Sequence, residues 1–403
     1  MTVGNRGNPS ETGRFARSRL RMRRFGLSIS FSLLFGGVHE LPSLAQDSLA
    51  SEKVVRSKKI DAILNEVLDS SNIPGVVAAI VRSGEPLQVG CAGIRKYREK
   101  QAITVSDKVH LGSCTKAMTA TVIGRLVDRG RLDWTSTLRE CLPELAVEVH
   151  PDYREVTIEQ LLMHRGGMPA QAVNWWNSIG ETVAEKRRSI AVESLSAPPE
   201  KSPGTAYIYS NLGYLVAGMM AAGQAGCSWE ALMKRELFEP LNMATAGFGS
   251  PGSPGTLEQP WGHRNLTSGL VALQRDNAPA LGPAGTVHCS LADWARFAAV
   301  HLDDRHPLIS PTTREHLQSI SRELEMAGQT YACGWIVLSR NWSAGPVLAH
   351  DGSNTLWYSK IFVAPRERVA YLVAANLADE TTGRELDRIV MRLIALDSRQ
   401  RSE

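Results

Sequence analysis

Between residues 52 and 69, Ile60, Ile63, Leu64, Val67 and Leu68 recur three or four positions apart, the spacing that gathers apolar side chains on one helix face. Residues 383–397 repeat the pattern with Leu386, Ile389, Val390, Leu393 and Ile394. Both ends of the folded chain are therefore predicted to be amphipathic helices, each needing a surface to cover. Just inside the first, β-rich runs at 76–81 and 87–92 flank Ser83-Gly84 and predict a hairpin. Just inside the last, runs at 331–338, 356–363 and 369–375 are separated by turn signals at 341–345 and at Pro365-Arg366. Connections this short favour antiparallel pairing. Between the two groups lie helical patterns at 116–129, 158–163, 212–222 and 291–302, while the Gly/Pro-rich stretch 247–260 reads as a surface loop. The expectation is an α+β fold: one antiparallel sheet built from distant segments, flanked by N- and C-terminal helices, with a helical subdomain at about 115–300. No repeat or long linker divides the chain, so 46–403 reads as one domain.

Charge changes the picture at the N-terminus. Residues 1–45 hold seven arginines and two acids. Removing them from the totals of 45 basic and 41 acidic residues leaves 38 against 39, so the surplus belongs to the leader. A folded domain with no basic excess gives no footprint for nucleic acid. The leader runs from basic residues ending at Arg24, through an apolar core, to Ser43-Leu44-Ala45. That order predicts a signal peptide over 1–45 and an exported protein, periplasmic or secreted. Met22 is an alternative start that would give a leader of ordinary length. The longest apolar stretch, 27–38, falls short of the ~20 residues a spanning helix needs, so no membrane span is expected in the mature protein. Cys91, Cys114, Cys141, Cys227, Cys289 and Cys333 show neither paired nor metal-type spacing, and neither bridges nor a metal site are assigned.

One lysine of eleven, Lys116, has a serine three positions before it. Ser113 follows Gly112, and an apolar helical pattern runs on from Lys116 to a stop at Gly130. The two side chains would then lie one turn apart on one face. A serine hydroxyl is a poor nucleophile until a base takes its proton. Lysine serves as that base only when burial and positive potential, such as a helix N-terminus supplies, hold it neutral. Spacing alone is weak, and an N-cap serine followed by a surface lysine is the plain alternative.

Other motifs follow in order. Tyr209-Ser210-Asn211 precedes an apolar helix, and His350-Asp351-Gly352-Ser353-Asn354 precedes a β-run. With the flanking runs Leu161-Leu162-Met163-His164-Arg165-Gly166-Gly167-Met168-Pro169 and Gln259-Pro260-Trp261-Gly262-His263, the chain from 60 to 378 resembles the serine β-lactamase and penicillin-binding-protein superfamily. The likeness is to the branch of class C β-lactamases, DD-peptidases and related esterases. It implies Ser113 as nucleophile, Lys116 as its partner base and Tyr209 as the relay to the leaving group; which of the two deprotonates Ser113 stays open. It further implies Asn211 holding Lys116 and the substrate, His350 and Gly352 lining the substrate strand, and backbone N–H groups of Ser113 and Ser353 as the oxyanion hole. His164 and His263 read as structural, and no cofactor is implied.

Superfamily members with Lys-Thr-Gly on that strand bind a substrate carboxylate there; this chain has His350-Asp351-Gly352. An Asp351 side chain in the pocket would oppose a carboxylate by ~4 kcal/mol at ~4 Å and an effective dielectric of ~20. Neutral esters or amides are then expected to be favoured over β-lactams or D-amino-acid peptides. Alternating strand geometry would remove the objection by turning Asp351 away. The resulting expectation is an exported serine hydrolase acting on a small-molecule or peptide substrate through an acyl-enzyme. An acyltransferase using the same intermediate and a non-catalytic penicillin-binding-like sensor are the alternatives.

Overall fold

Strand alternation sorts the apolar residues of the sheet onto two faces, and each face acquires its own helical cover. The computed structural model describes residues 53–176 and 179–402, so the leader expected at 1–45 lies outside the described residues. Seven strands form the main sheet: β1 (Val54–Arg56), β2 (Gly75–Arg82), β3 (Leu87–Gly93), β4 (Ile336–Leu338), β5 (Val347–Ser353), β6 (Tyr358–Ala364) and β7 (Val369–Ala375). Their order is β1-β3-β2-β7-β6-β5-β4. Only β1 against β3 is parallel. The join between the distant halves is β2 against β7, in register from Arg82 opposite Val369 to Val76 opposite Ala375.

Val76, Ala78 and Ile80 face one way with Tyr371, Val373 and Ala375, and meet Ile60, Leu64 and Val67 of α1 (Lys58–Asp69) and Leu386, Ile389 and Leu393 of α5 (Thr382–Gln400). Val77, Ala79 and Val81 face the other way with Leu372 and Ala374, into a second core shared with α2 (Thr115–Asp128), α3 (Asn211–Ala225) and α4 (Leu291–Leu302). This is the α+β sheet-and-helix arrangement that the hydrophobic pattern implies. α2 is buried on almost every side, as expected of a helix running through a core.

Four local differences have physical reasons. Residues 54–56 are an edge strand, and α1 begins after Ser57, whose hydroxyl accepts from Ile60 N at 3.4 Å. Within 331–338 only Ile336–Leu338 is a strand, because Gly334 adopts φ +84° and breaks the run. β5 carries His350, Asp351 and Gly352, so its extended course was masked by residues that do not look like strand formers. Gly247–Phe248, within the stretch expected to be loop, pairs with Val287–Ser290, whose other edge pairs with Lys108–His110. This small sheet delivers the chain to Gly112.

α1 rests directly on β3 at Gly90, where a Cβ would sit 2.4 Å from Ile60 Cγ2 and 2.8 Å from its Cβ. Gly90→Ala is therefore expected to destabilise the fold by about 1–3 kcal/mol through overpacking. A urea unfolding midpoint that does not move would show that α1 is free to lift.

Candidate active site

Gly112–Cys114 forms one 3₁₀ turn that runs straight into α2. Gly112 has φ +49°, a conformation that disfavours side chains. A Cβ on it would lie 2.2 Å from Ser353 N; one on Gly352 would lie 1.9 Å from Leu111 O and 2.9 Å from Ser113 N. Glycine at both positions lets the backbone of β5 press against the turn that carries Ser113. A hydrogen bond from Ser359 Oγ to His110 O, at 2.6 Å, ties β6 to the same turn.

Lys116 is wholly buried. Its Nζ lies 3.0 Å from Ser113 Oγ, 2.7 Å from Asn211 Oδ1 and 2.9 Å from Ala284 O. The latter two oxygens only accept. A neutral amine gives its two N–H groups to them, which leaves its lone pair for the Ser113 proton. Burial pulls the Lys116 pKa down to about 7, against a smaller opposing influence of Cys114. The amine is thus half uncharged near neutral pH, which is what a base for serine needs.

Tyr209 reaches the same place from the other side. Its ring centroid is 4.8 Å from Lys116 Nζ, and its phenol lies close enough to the Ser113 side chain to interact with it. Burial pushes that phenol well above its ordinary pKa, so it is held protonated and able to donate. Tyr207 is half exposed and stands edge-on to His164 at 5.8 Å. Ser210 caps α3, accepting from Gly213 N at 2.9 Å and donating to Pro169 O at 2.6 Å. Its own N–H donates to His164 Nδ1 at 3.0 Å. His164 is therefore the post that holds Tyr209 and Asn211 in place; burial above all keeps it neutral. His263 is likewise engaged with backbone, its Nδ1 lying 2.6 Å from Asn376 O and its Nε2 2.9 Å from Tyr97 N.

His350 is 3% exposed. Its Nδ1 is 2.6 Å from Asp351 O and its Nε2 is 2.9 Å from the Tyr331 hydroxyl. A carbonyl accepts only, so Nδ1 carries the proton and Nε2 receives the Tyr331 O–H. Burial, with the Lys116 charge second, lowers its pKa to about 3. The imidazole expected to touch substrate is thus uncharged and has both nitrogens committed to protein partners. Ser353 sits at the end of β5, and its hydroxyl accepts from Thr355 N at 3.0 Å.

The direction of Asp351, open in the sequence, is the second of the two alternatives. Alternation along β5 turns its side chain to the opposite face of the sheet. There Asp351 Oδ2 accepts from Lys360 Nζ at 2.9 Å and from Tyr358 OH at 3.1 Å, and Lys360 also reaches Asp387 at 2.8 Å. No Asp351 charge stands beside Ser113, and the expected repulsion of a carboxylate loses its basis. Tyr331, His164 in its bracing role and the Ala284 carbonyl belong to the site as well. Tyr331 was hidden inside an apparent β-run, and a backbone acceptor leaves no trace in a sequence. Among the described residues no cluster of three or more His, Cys, Asp or Glu is arranged to hold a metal ion.

Comparison with known proteins gives the family and the fold. The family model described as Beta-lactamase matches residues 60–396, from α1 to α5. Penicillin-binding protein 4 of Amycolatopsis lactamdurans is 27% identical over 339 residues, covering 79% of this chain and 84% of that protein. Beta-lactamase of Escherichia coli (strain K12) is 24% identical over 307 residues, covering 75% and 74%. The chain spans only 60–64% of the length of several other curated relatives. The crystal structure of D-amino acid amidase from Ochrobactrum anthropi SV3, complexed with D-phenylalanine, shares the fold with a TM-score of 0.69 at 18% identity, covering 84% of this chain and 99% of that one. The chain belongs to the beta-lactamase family of serine hydrolases.

Proposed function

We propose that the protein is an exported hydrolase that cleaves an ester or amide through an acyl-enzyme on Ser113. The observation that carries this is the buried Lys116 amine, whose two hydrogen-bond acceptors other than Ser113 leave its lone pair aimed at the Ser113 hydroxyl. Lys116 takes the serine proton as Oγ attacks the substrate carbonyl. The backbone N–H groups of Ser113 and Ser353 receive the oxyanion, donors worth ~2.7–4 kcal/mol each in a transition state. Tyr209 gives its proton to the leaving group as the carbonyl re-forms, and the proton that Lys116 took from Ser113 passes to the Tyr209 oxygen, so that both groups return to their starting states. Water then attacks the acyl-enzyme by the reverse route and releases the acid. Asn211 keeps Lys116 aligned throughout.

His350 bears on substrate choice. Where a lysine would supply a charge-assisted hydrogen bond of about 1.5–3 kcal/mol to a carboxylate, this position offers an uncharged ring with no free N–H. Neutral acyl donors are favoured for want of attraction rather than through repulsion by Asp351. The names of the relatives, penicillin-binding protein and beta-lactamase, place β-lactams among the amides to try. The order of basic, apolar and small residues in the leader supports export to the periplasm or medium.

Turnover of a short p-nitrophenyl ester, with labelling by a fluorophosphonate probe, tests the reading. Ser113→Ala is expected to abolish the label and lower kcat at least ~10³-fold; a variant that keeps turnover would remove Ser113 from the chemistry. Because the uncharged form of Lys116 is the active one, kcat/KM is expected to fall tenfold per pH unit below about 7 and to level off above it. A profile flat from pH 5 to 9 would contradict Lys116 as base. Asp351→Asn is expected to leave kcat/KM within about twofold for both neutral and carboxylate-bearing substrates, since its charge lies across the sheet. A gain of a hundredfold or more for the carboxylate substrate would put Asp351 back in the pocket.

A further inference from the structure

The largely buried carboxylate of Asp276 lies behind the serine turn, outside the chemistry described above. The Asp276 side chain is 8% exposed, and its Oδ1 is 2.7 Å from His110 Nε2. The same oxygen accepts from Asn354 Nδ2 at 2.9 Å. His110 is fully buried, and its Nδ1 accepts the Gly112 N–H at 3.1 Å. That bond makes Nδ1 the acceptor and leaves the ring proton on Nε2, which stands in close contact with Asp276 Oδ1 but outside hydrogen-bond alignment. Asp276 Oδ2 is buried with no hydrogen-bond partner among the described residues. A carboxylate buried in this way costs stability, so packing alone is a poor account of it.

Its two partners decide what it does. His110 holds the N–H of Gly112, the residue before Ser113, and Asn354 is the residue immediately after Ser353. Asn354 Oδ1 also receives the N–H groups of Leu356 and Trp357, at 3.1 and 2.9 Å, and so sets the turn that leaves β5. The two N–H donors of the oxyanion hole come from segments 240 positions apart, and one carboxylate holds the neighbour of each. We propose that Asp276 is a positioning residue that sets the spacing of the oxyanion hole, acting through His110 on the Ser113 turn and through Asn354 on the Ser353 end of β5. The inference rests on the acyl-enzyme reading given above. It predicts an effect where negative charge develops on the carbonyl oxygen and little effect on the binding of uncharged substrate.

The test compares wild type with Asp276→Ala, Asp276→Asn, His110→Phe and the Asp276→Ala/His110→Phe pair on the p-nitrophenyl ester. An alkylboronic acid, which forms a tetrahedral anionic adduct on an active serine, reports the hole directly. Asp276→Ala is expected to lower kcat roughly 10- to 100-fold, a fraction of the 10²–10³ lost with a whole donor, with KM within about threefold. Boronate affinity should fall by the same factor as kcat/KM, and the double variant should lose no more than the worse single one. Asp276→Asn, which keeps one acceptor, should fall between and carries the test if the alanine variant does not fold. A folded Asp276 variant with kcat within twofold of wild type, an unchanged boronate affinity, or failure of both variants to fold would overturn the inference. Absence of Ser113-dependent turnover in the wild type would instead overturn the functional reading.

Discussion

Keeping one amine uncharged inside the protein is the constraint from which the rest of the structure follows. An ammonium at Lys116 would satisfy all three of its neighbours, and in water it would be the stable form. Burial reverses this by lowering its pKa from 10.5 to about 7. The fold bears a cost on the order of 5 kcal/mol for that shift. The sign follows from proton binding: between about 7 and 10.5 the unfolded chain binds the proton and the folded one does not. Stability therefore declines as pH falls through that window and reaches its low plateau below about 7. Such a cost is large beside the net stability of an ordinary domain, and in the proposed mechanism it buys reactivity at Ser113. The extensive core around α2 and the sheet is what makes it bearable.

The second constraint is that the proposed reacting groups come from distant segments. Ser113 and Lys116 share one helical turn, but Tyr209 and Asn211 arrive at the start of α3 and the opposing backbone arrives on β5. Pairing of β7 with β2 closes the sheet and fixes where β5 lies, and glycine at 112 and 352 lets the two backbones touch. His164 then locks the Tyr209–Asn211 segment by a hydrogen bond to the Ser210 backbone. Each of these devices places an atom; none adds chemistry of its own.

How much of this was legible in the sequence differs by interaction. The terminal helices, the first hairpin and β7 were visible because each buries one regular face, and period alone identifies such a face. Ser113, Lys116, Tyr209 and Asn211 were visible because their motifs follow one another in order along the chain, and the structure brings these four together. β5 was hidden because its residues serve the site rather than the pattern. The direction of Asp351 was hidden because strand alternation allows either face until the register of β5 against β6 is known. With Asp351 opposite Lys360, the direction is settled by an ion pair formed on the far side of the sheet. The partners of His350 and Asp276 were beyond reach, since they join residues far apart in sequence through single hydrogen bonds.

The central claim is most directly tested by titrating Lys116 itself. With ¹³Cε-labelled lysine, the chemical shift of Lys116, assigned by its loss in Lys116→Met, follows the charge on the amine in the intact enzyme. The account predicts a midpoint near pH 7 for this lysine, well below the remaining lysines. A midpoint near 10.5 would mean that the amine stays charged beside Ser113, and the proposed role of Lys116 as base would fail.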